Sequence, residues 1–131
     1  MPATGTWEPE QDQLKPDPSR VRTWLQRDWQ QPDDLKQLDD LDQASLQRWI
    51  DLPEERWAAL LDSLSTDQLV GLMRLCTLAE QHLAGCAAGE QSVVIHAFRR
   101  YRQQLGRPDP ELTRWIRSHS DNRFLPYGPA L

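Results

Sequence analysis

With 131 residues, the chain has the length of one domain with an ordinary hydrophobic core. Its composition is 38% hydrophobic and 27% charged and includes six tryptophans, which is too apolar for a disordered chain, yet no run of about 18 apolar residues is present to span a membrane. The net charge of −5 argues against bulk binding to nucleic acid.

The charge is divided unevenly along the chain. Residues 1–70 carry 7 Lys or Arg and 15 Asp or Glu, whereas residues 71–131 carry 8 arginines and 5 acidic residues. A local contact between the C-terminal half and an anionic partner is therefore compatible with the acidic total.

The cysteines and the N-terminal residues indicate the cellular compartment. Cys76 and Cys86 are predicted to lie too far apart along one helix to bridge, so we expect reduced thiols. The first residues lack the basic and apolar regions of a signal peptide. The sequence therefore favours a soluble, cytoplasmic protein that does not enter a membrane.

Three segments are predicted in chain order. Residues 1–16 hold several prolines and polar residues with only Trp7 and Leu14 as large apolar groups, which do not offset the entropy lost on ordering. We therefore expect a flexible N-terminal arm over 1–16, a helical bundle domain over 17–119, and an extended C-terminal tail over 120–131.

The first half of the domain is predicted to be helical throughout. Asp17 followed by Pro18 supplies an N-cap and a first-turn proline for a helix over about 18–30. Apolar residues at three- to five-residue steps between 33 and 52 predict one broken helix or two short ones, and Pro53 begins the next.

The longest helix is predicted in the middle of the chain. Ser65 and Gln68 have the spacing of a capping box, and the apolar pattern continues to about Ala84, just before Gly85. Apolar side chains cover so much of its circumference that we expect this helix at the centre of the fold.

Two more helices complete the prediction. One spans about 91–105 and ends at Gly106, and the other begins at Asp109 and Pro110 and ends near Ser118. No segment alternates as a strand does. The predicted fold class is therefore all-α, a single-domain bundle of five to seven helices.

The candidate functional surface lies in the C-terminal third, where guanidinium groups could present paired donors to carboxylates or phosphates. The arginines of the 91–105 helix are predicted to fan over the side away from Phe98 and Tyr101, free in solvent. The alternative is a solvated helix face whose arginines pair with the acidic N-terminal half. The candidate partner-binding residues are Arg99, Arg100, Arg102, Arg114, Arg117, Arg123, Phe124 and Tyr127.

The tail has two interpretations. Phe124, Leu125 and Tyr127 either anchor it onto the bundle or are offered to another protein. The sequence favours docking only because an exposed apolar cluster of this size would be adhesive.

No motif names a reaction. His82 and Cys86 have a spacing that can present two metal ligands, but a zinc site needs about four. Ser118, His119 and Asp121 are too close in sequence to converge as a catalytic triad. Glycine loops that hold phosphates are missing as well. We therefore predict no catalytic residue, metal or cofactor.

Three functions are compatible with these features. The first is a non-enzymatic protein–protein interaction module, acting as an adaptor, regulator or assembly factor through the arginine-rich face. The second is a nucleic-acid-associated protein that contacts phosphates through the same arginines. The third is a small-ligand binder or enzyme with a pocket near His96 or His119. A homodimer that pairs the apolar helix over 66–84 across a two-fold axis is also open.

Overall fold

The computed structural model describes residues 14–83, 85–86 and 88–129, which contain six α-helices and two short 3-10 helices joined by loops and turns. No strand occurs within those ranges, and the predicted all-α bundle is confirmed. In chain order the α-helices are α1 (Pro18–Trp24), α2 (Asp40–Ile50), α3 (Glu54–Ser63), α4 (Thr66–His82), α5 (Val93–Leu105) and α6 (Pro110–His119). The 3-10 helices are Pro32–Gln37 and Gly89–Gln91.

The N-terminal arm falls mostly outside this description. Residues 1–13 lie beyond the described residues. Of the three that follow, Leu14 packs against the core and Pro16 is buried. The described chain therefore touches the bundle before α1 begins.

Helix ends follow the capping signals in the sequence. The Ser65 side chain accepts from the Gln68 amide while the Gln68 side chain accepts from the Ser65 amide, so the predicted capping box opens α4. Asp17 and Asp109 are simple N-caps of α1 and α6, and a carboxylate oxygen of each accepts from a backbone amide two residues later. Local chemistry thus decides where these three helices begin.

The first helix is shorter than its sequence pattern predicts. It ends at Trp24 rather than near residue 30. The indole nitrogen of Trp29 donates to the Trp24 carbonyl at 2.9 Å, and the guanidinium of Arg27 donates to the Gln37 carbonyl at 2.8 Å. After Trp24, hydrogen bonds from the Trp29 and Arg27 side chains therefore hold the chain in place of a further helical turn.

The centre of the bundle is α4, as predicted. It packs most extensively against α5 and also against α6 and the 3-10 helix Pro32–Gln37. Most of its apolar side chains, including Leu69, Leu72 and Met73, are buried within the chain. Each helix of the described ranges is too short or too polar to span a lipid bilayer.

Candidate functional site

The C-terminal tail docks on its own bundle. Leu125 is 1% exposed and Pro126 is buried, while Phe124 is half-buried. Residues 123–127 form turns rather than the extended segment expected from the sequence, with the Gly128 amide donating to the Phe124 carbonyl. Docking onto the core is therefore the interpretation that the structure supports.

Polar side chains hold the start of this tail against α4. The Gln81 amide group donates to the Asp121 carboxylate at 2.8 Å and accepts from the Asp121 backbone at 2.9 Å. Asn122 donates to the Gly89 carbonyl and accepts from the Phe124 amide. The tail is thus fastened on both sides before its apolar residues enter the core.

One aromatic side chain of the tail stays outside. The Tyr127 side chain meets the buried Phe98 ring edge-on, with the ring centroids 5.3 Å apart and the planes at 87°, yet Tyr127 is 51% exposed. This edge-to-face contact fixes the position of the tyrosine on the surface of the bundle.

Tyr127 forms one wall of an open groove of about 410 Å³. Arg114 and Arg117 of α6 form another wall because a three-residue step places both on one side of that helix. The remaining walls are Pro108, Pro110 and Thr113. The groove therefore brings together three of the residues that the sequence singled out, two cationic and one aromatic.

Two arginines of α5 flank this region, and Arg99 lies close to the tail itself. The terminal nitrogen of Arg99 lies so near Gly128 that a side-chain carbon added there would be 3.4 Å from it. The guanidinium of Arg102 lies 6.0 Å from the centroid of the Phe98 ring, although the sequence predicted that it points away from this ring. Both side chains are exposed, and within the described ranges neither has an ion-pair partner.

The prediction of a free guanidinium is wrong for Arg100. Its side chain is only 17% exposed and bonds to Glu54 at 2.6 Å and to Asp62 at 2.9 Å. The hydrogen bond from Arg100 lowers the pKa of Glu54, and the two carboxylates raise the pKa of Arg100 itself despite its partial burial. Arg100 thus ties α5 to the acidic helix α3, which is the alternative weighed for this face.

We expect Arg100→Gln to lower the free energy of unfolding by about 1 kcal/mol at pH 7, because both carboxylates lose a charged donor while staying partly solvated. The loss should shrink below pH 4, because a carboxyl with a lowered pKa stabilises the fold only while it is ionised. Urea unfolding at pH 7 and pH 3.5 measures this. Arg114→Gln, which removes an exposed arginine, is the matched control and should change stability by less than about 0.5 kcal/mol.

The last two predicted residues lie apart from the Tyr127 groove. The guanidinium of Arg123 stacks over the Phe124 ring, 5.0 Å from its centroid. Both side chains line a separate depression with Glu90 and Pro129. The predicted surface therefore divides into the groove, the flanking Arg99 and Arg102, and this separate pair.

Sequence reasoning missed a buried carboxyl, Glu80. It lies on α4, is 8% exposed, and is bonded by the Ser92 hydroxyl. Burial raises its pKa from 4.5 to about 8, although Ser92 and the nearby Asn122 amide oppose the shift. The signal was present in the sequence, because a glutamate four residues after Cys76 continues the apolar stripe of the central helix.

His96 is a second buried polar group. Neither ring nitrogen has a hydrogen-bond partner in the described chain, and Nδ1 lies 3.7 Å from a carboxylate oxygen of Glu54. The pKa of His96 is lowered overall, mainly by burial. The nearby Glu54 opposes this shift, and Arg99 and Arg100 add to it. The ring is enclosed by α5 and its neighbours and lines neither the Tyr127 groove nor the depression beside Arg123.

No protein-family model matches the chain, and searches of curated proteins and of solved structures find no significant match.

Proposed function

We propose that this chain is a non-enzymatic interaction module that binds an acidic segment of another protein in the groove beside Tyr127. The observation that carries the proposal is the groove itself, where Arg114 and Arg117 stand beside a half-exposed tyrosine held by the docked tail. Within the described ranges neither arginine has an ion-pair partner. Their charge is therefore available to a partner.

The residue types suit a protein interface. Tyrosine and arginine are over-represented among the residues that carry most of the binding energy at such interfaces. The tyrosine ring and the two prolines offer apolar contact area, while the guanidinium groups orient carboxylates through paired donors. Arg99 and Arg102 extend the positive region beyond the groove.

The net charge favours a protein over a nucleic acid. A chain of net charge −5 is repelled by a polyanion at long range, because its acidic first half outweighs the arginines of the second. A short acidic peptide reaches only the local positive region. Nucleic-acid binding through the same arginines is the competing outcome of the test below.

As part of this proposal we place the protein in the cytoplasm. Cys76 and Cys86 are both buried and free. Burial raises the pKa of Cys76 well above its usual value and that of Cys86 to about 11, so both stay protonated and unreactive. Unpaired thiols of this kind fit a reducing compartment.

The test uses a fluorescein-labelled peptide of about ten residues, rich in glutamate, and a labelled single-stranded oligonucleotide of similar charge. We expect the peptide to bind and to shift the amide resonances of Arg114, Arg117 and Tyr127. The double variant Arg114→Gln/Arg117→Gln should weaken peptide binding at least tenfold, which corresponds to about 1.4 kcal/mol. Raising the salt concentration from about 50 to 300 mM should weaken it as well.

The control is Arg48→Gln/Arg56→Gln, which removes the same charge from α2 and α3. It should leave peptide binding within about twofold of wild type. Equal losses in both double variants would show that net charge alone is responsible. Tighter binding of the oligonucleotide than of the peptide would replace this proposal with the nucleic-acid function.

A further inference from the structure

A second pocket lies on a different part of the molecule, between the end of α4 and the start of the tail. Its volume is about 370 Å³. The lining residues are Glu80, Gln81, Ala88, Gly89, Ser120, Asp121, Asn122 and Arg123. The Tyr127 groove shares none of them.

The Glu80 carboxyl has one oxygen bonded and one without a partner. Oε2 accepts from the Ser92 hydroxyl, whereas Oε1 is buried and makes no hydrogen bond of normal geometry within the described chain, although the nearby Asn122 amide lowers the pKa of the carboxyl. Buried carboxyl oxygens nearly always have hydrogen-bond partners, because an unpaired one loses its hydration without compensation. Glu80 is one of the residues that line the pocket, so a small movement of its side chain would let a donor from outside the chain complete this hydrogen bond.

The neighbouring donor groups each have a contact of their own. One N–H of the Gln81 amide group donates to Asp121, and one N–H of the Asn122 amide group donates to the Gly89 carbonyl, while the Asn122 side chain also lowers the pKa of Glu80. The guanidinium of Arg123 stacks on Phe124. No cation of the described ranges pairs with either Glu80 or Asp121.

We propose that this pocket binds a small monoamine, whose primary ammonium group donates to Oε1 of Glu80 and to the Asp121 carboxylate at the rim. An ammonium group has three donors and no acceptor, which matches two carboxyl groups on one pocket. The volume suits a compact molecule. Arg123 on the same wall disfavours a second positive charge in the ligand.

The charges around Glu80 set the pH at which the amine binds. Burial is the main reason that the pKa of Glu80 is raised to about 8, Asp51 makes a smaller contribution in the same direction, and the Cys76 and Cys86 thiols beside it stay neutral. Binding of an ammonium favours the ionised carboxylate. Affinity should therefore increase from pH 6 to pH 8.5, where an alkylammonium with a pKa near that of lysine, about 10.4, is still charged.

The experiment is an NMR titration of the full chain with butylammonium at pH 8.5. We expect saturable shifts at the Glu80 side chain and at the amides of Ser92 and Asn122. Tetramethylammonium, which has the charge but no N–H donor, should not produce them. Because this comparison uses the wild-type protein, it holds even if a variant folds poorly.

Two variants that each remove one negative charge test whether butylammonium binds at Glu80. Glu80→Gln keeps an acceptor for Ser92 and should weaken butylammonium binding at least tenfold, whereas Glu90→Gln, on the exposed neighbouring 3-10 helix, should leave it unchanged. A thermal melt of each variant verifies folding.

Three results would overturn the proposal. They are the lack of any saturable shift with butylammonium, equal binding of tetramethylammonium, and unchanged affinity in Glu80→Gln. Saturable binding of acetamide in place of butylammonium would show instead that Glu80 acts as a neutral donor. Tighter binding of a capped tripeptide with a central lysine would overturn the small-molecule assignment and identify a protein lysine as the source of the ammonium.

Discussion

Replacing Trp57 with alanine is expected to lower the free energy of unfolding by about 4 kcal/mol. The side chain is fully buried, and its indole nitrogen donates to the Trp49 carbonyl at 2.9 Å. The variant loses the transfer free energy of a large ring, gains a cavity, and removes one of the donors to the Trp49 carbonyl at the end of α2, which keeps its bond from the Leu52 amide at 3.0 Å. Since small domains are stable by about 5–15 kcal/mol, this change brings the fold close to its limit.

Denaturation with guanidinium chloride measures the loss, and two variants separate its causes. Trp57→Phe keeps most of the volume but removes the N–H group, so it should cost only about 1–2 kcal/mol. Leu41→Ala is the control, because Leu41 is an apolar residue of α2 that is 69% exposed, and it should cost less than about 0.5 kcal/mol. Equal effects at Trp57 and Leu41 would contradict the core described above.

The sequence predicted the elements whose causes are local. The capping box at Ser65 and Gln68, the aspartate caps before α1 and α6, and Gly106 with a φ of +83° at the end of α5 all act within a few residues. The apolar stripe of α4 placed that helix at the centre for the same reason. A pattern within one helix carries all the information needed for these predictions.

The features that the sequence left open depend on residues far apart in the chain. Arg100 reads as a free surface arginine until Glu54 and Asp62, which lie 46 and 38 positions away, are brought beside it by the packing of α3 on α5. The end of α1 depends likewise on the Gln37 carbonyl. No local pattern specifies such partners.

The Tyr127 groove depends both on a local sequence pattern and on a contact between distant residues. The spacing of Arg114 and Arg117 already placed them on one face of a helix. Tyr127 joins them only because the tail turns at residues 123–127 and rests on Phe98, a contact between residues 29 positions apart. The sequence therefore identified the residues of the candidate surface, whereas their grouping required the fold.

The second large expected effect is that Glu80 makes the free energy of unfolding depend on pH. Its pKa is about 8 in the folded chain and close to 4.5 when unfolded, so the folded state holds a proton that the unfolded state releases between those values. The stabilisation from this group is complete below pH 4.5 and is lost as the pH rises through 8. The slope is at most about 1.4 kcal/mol for each pH unit.

We therefore expect Glu80→Gln to gain stability relative to wild type by several kcal/mol between pH 5 and pH 8.5. Urea unfolding at half-unit steps of pH measures this difference for the two proteins. His96 and Glu54, whose pKa values are lowered, are present in both proteins, so their contributions cancel in the difference. The Glu80 charge also raises the pKa of the two cysteines, but the ordinary thiol pKa of 9.0 already lies above this pH range.

A matched variant shows whether burial is the cause. Glu111→Gln removes an exposed glutamate from α6 and should give a curve parallel to that of wild type. Parallel curves for Glu80→Gln as well would mean that Glu80 is ionised at neutral pH in the folded chain. In that case Oε1 of Glu80 would already be solvated in the folded chain. The affinity for butylammonium should then no longer increase above pH 6, and the Glu80-dependent change of stability with pH should disappear as well.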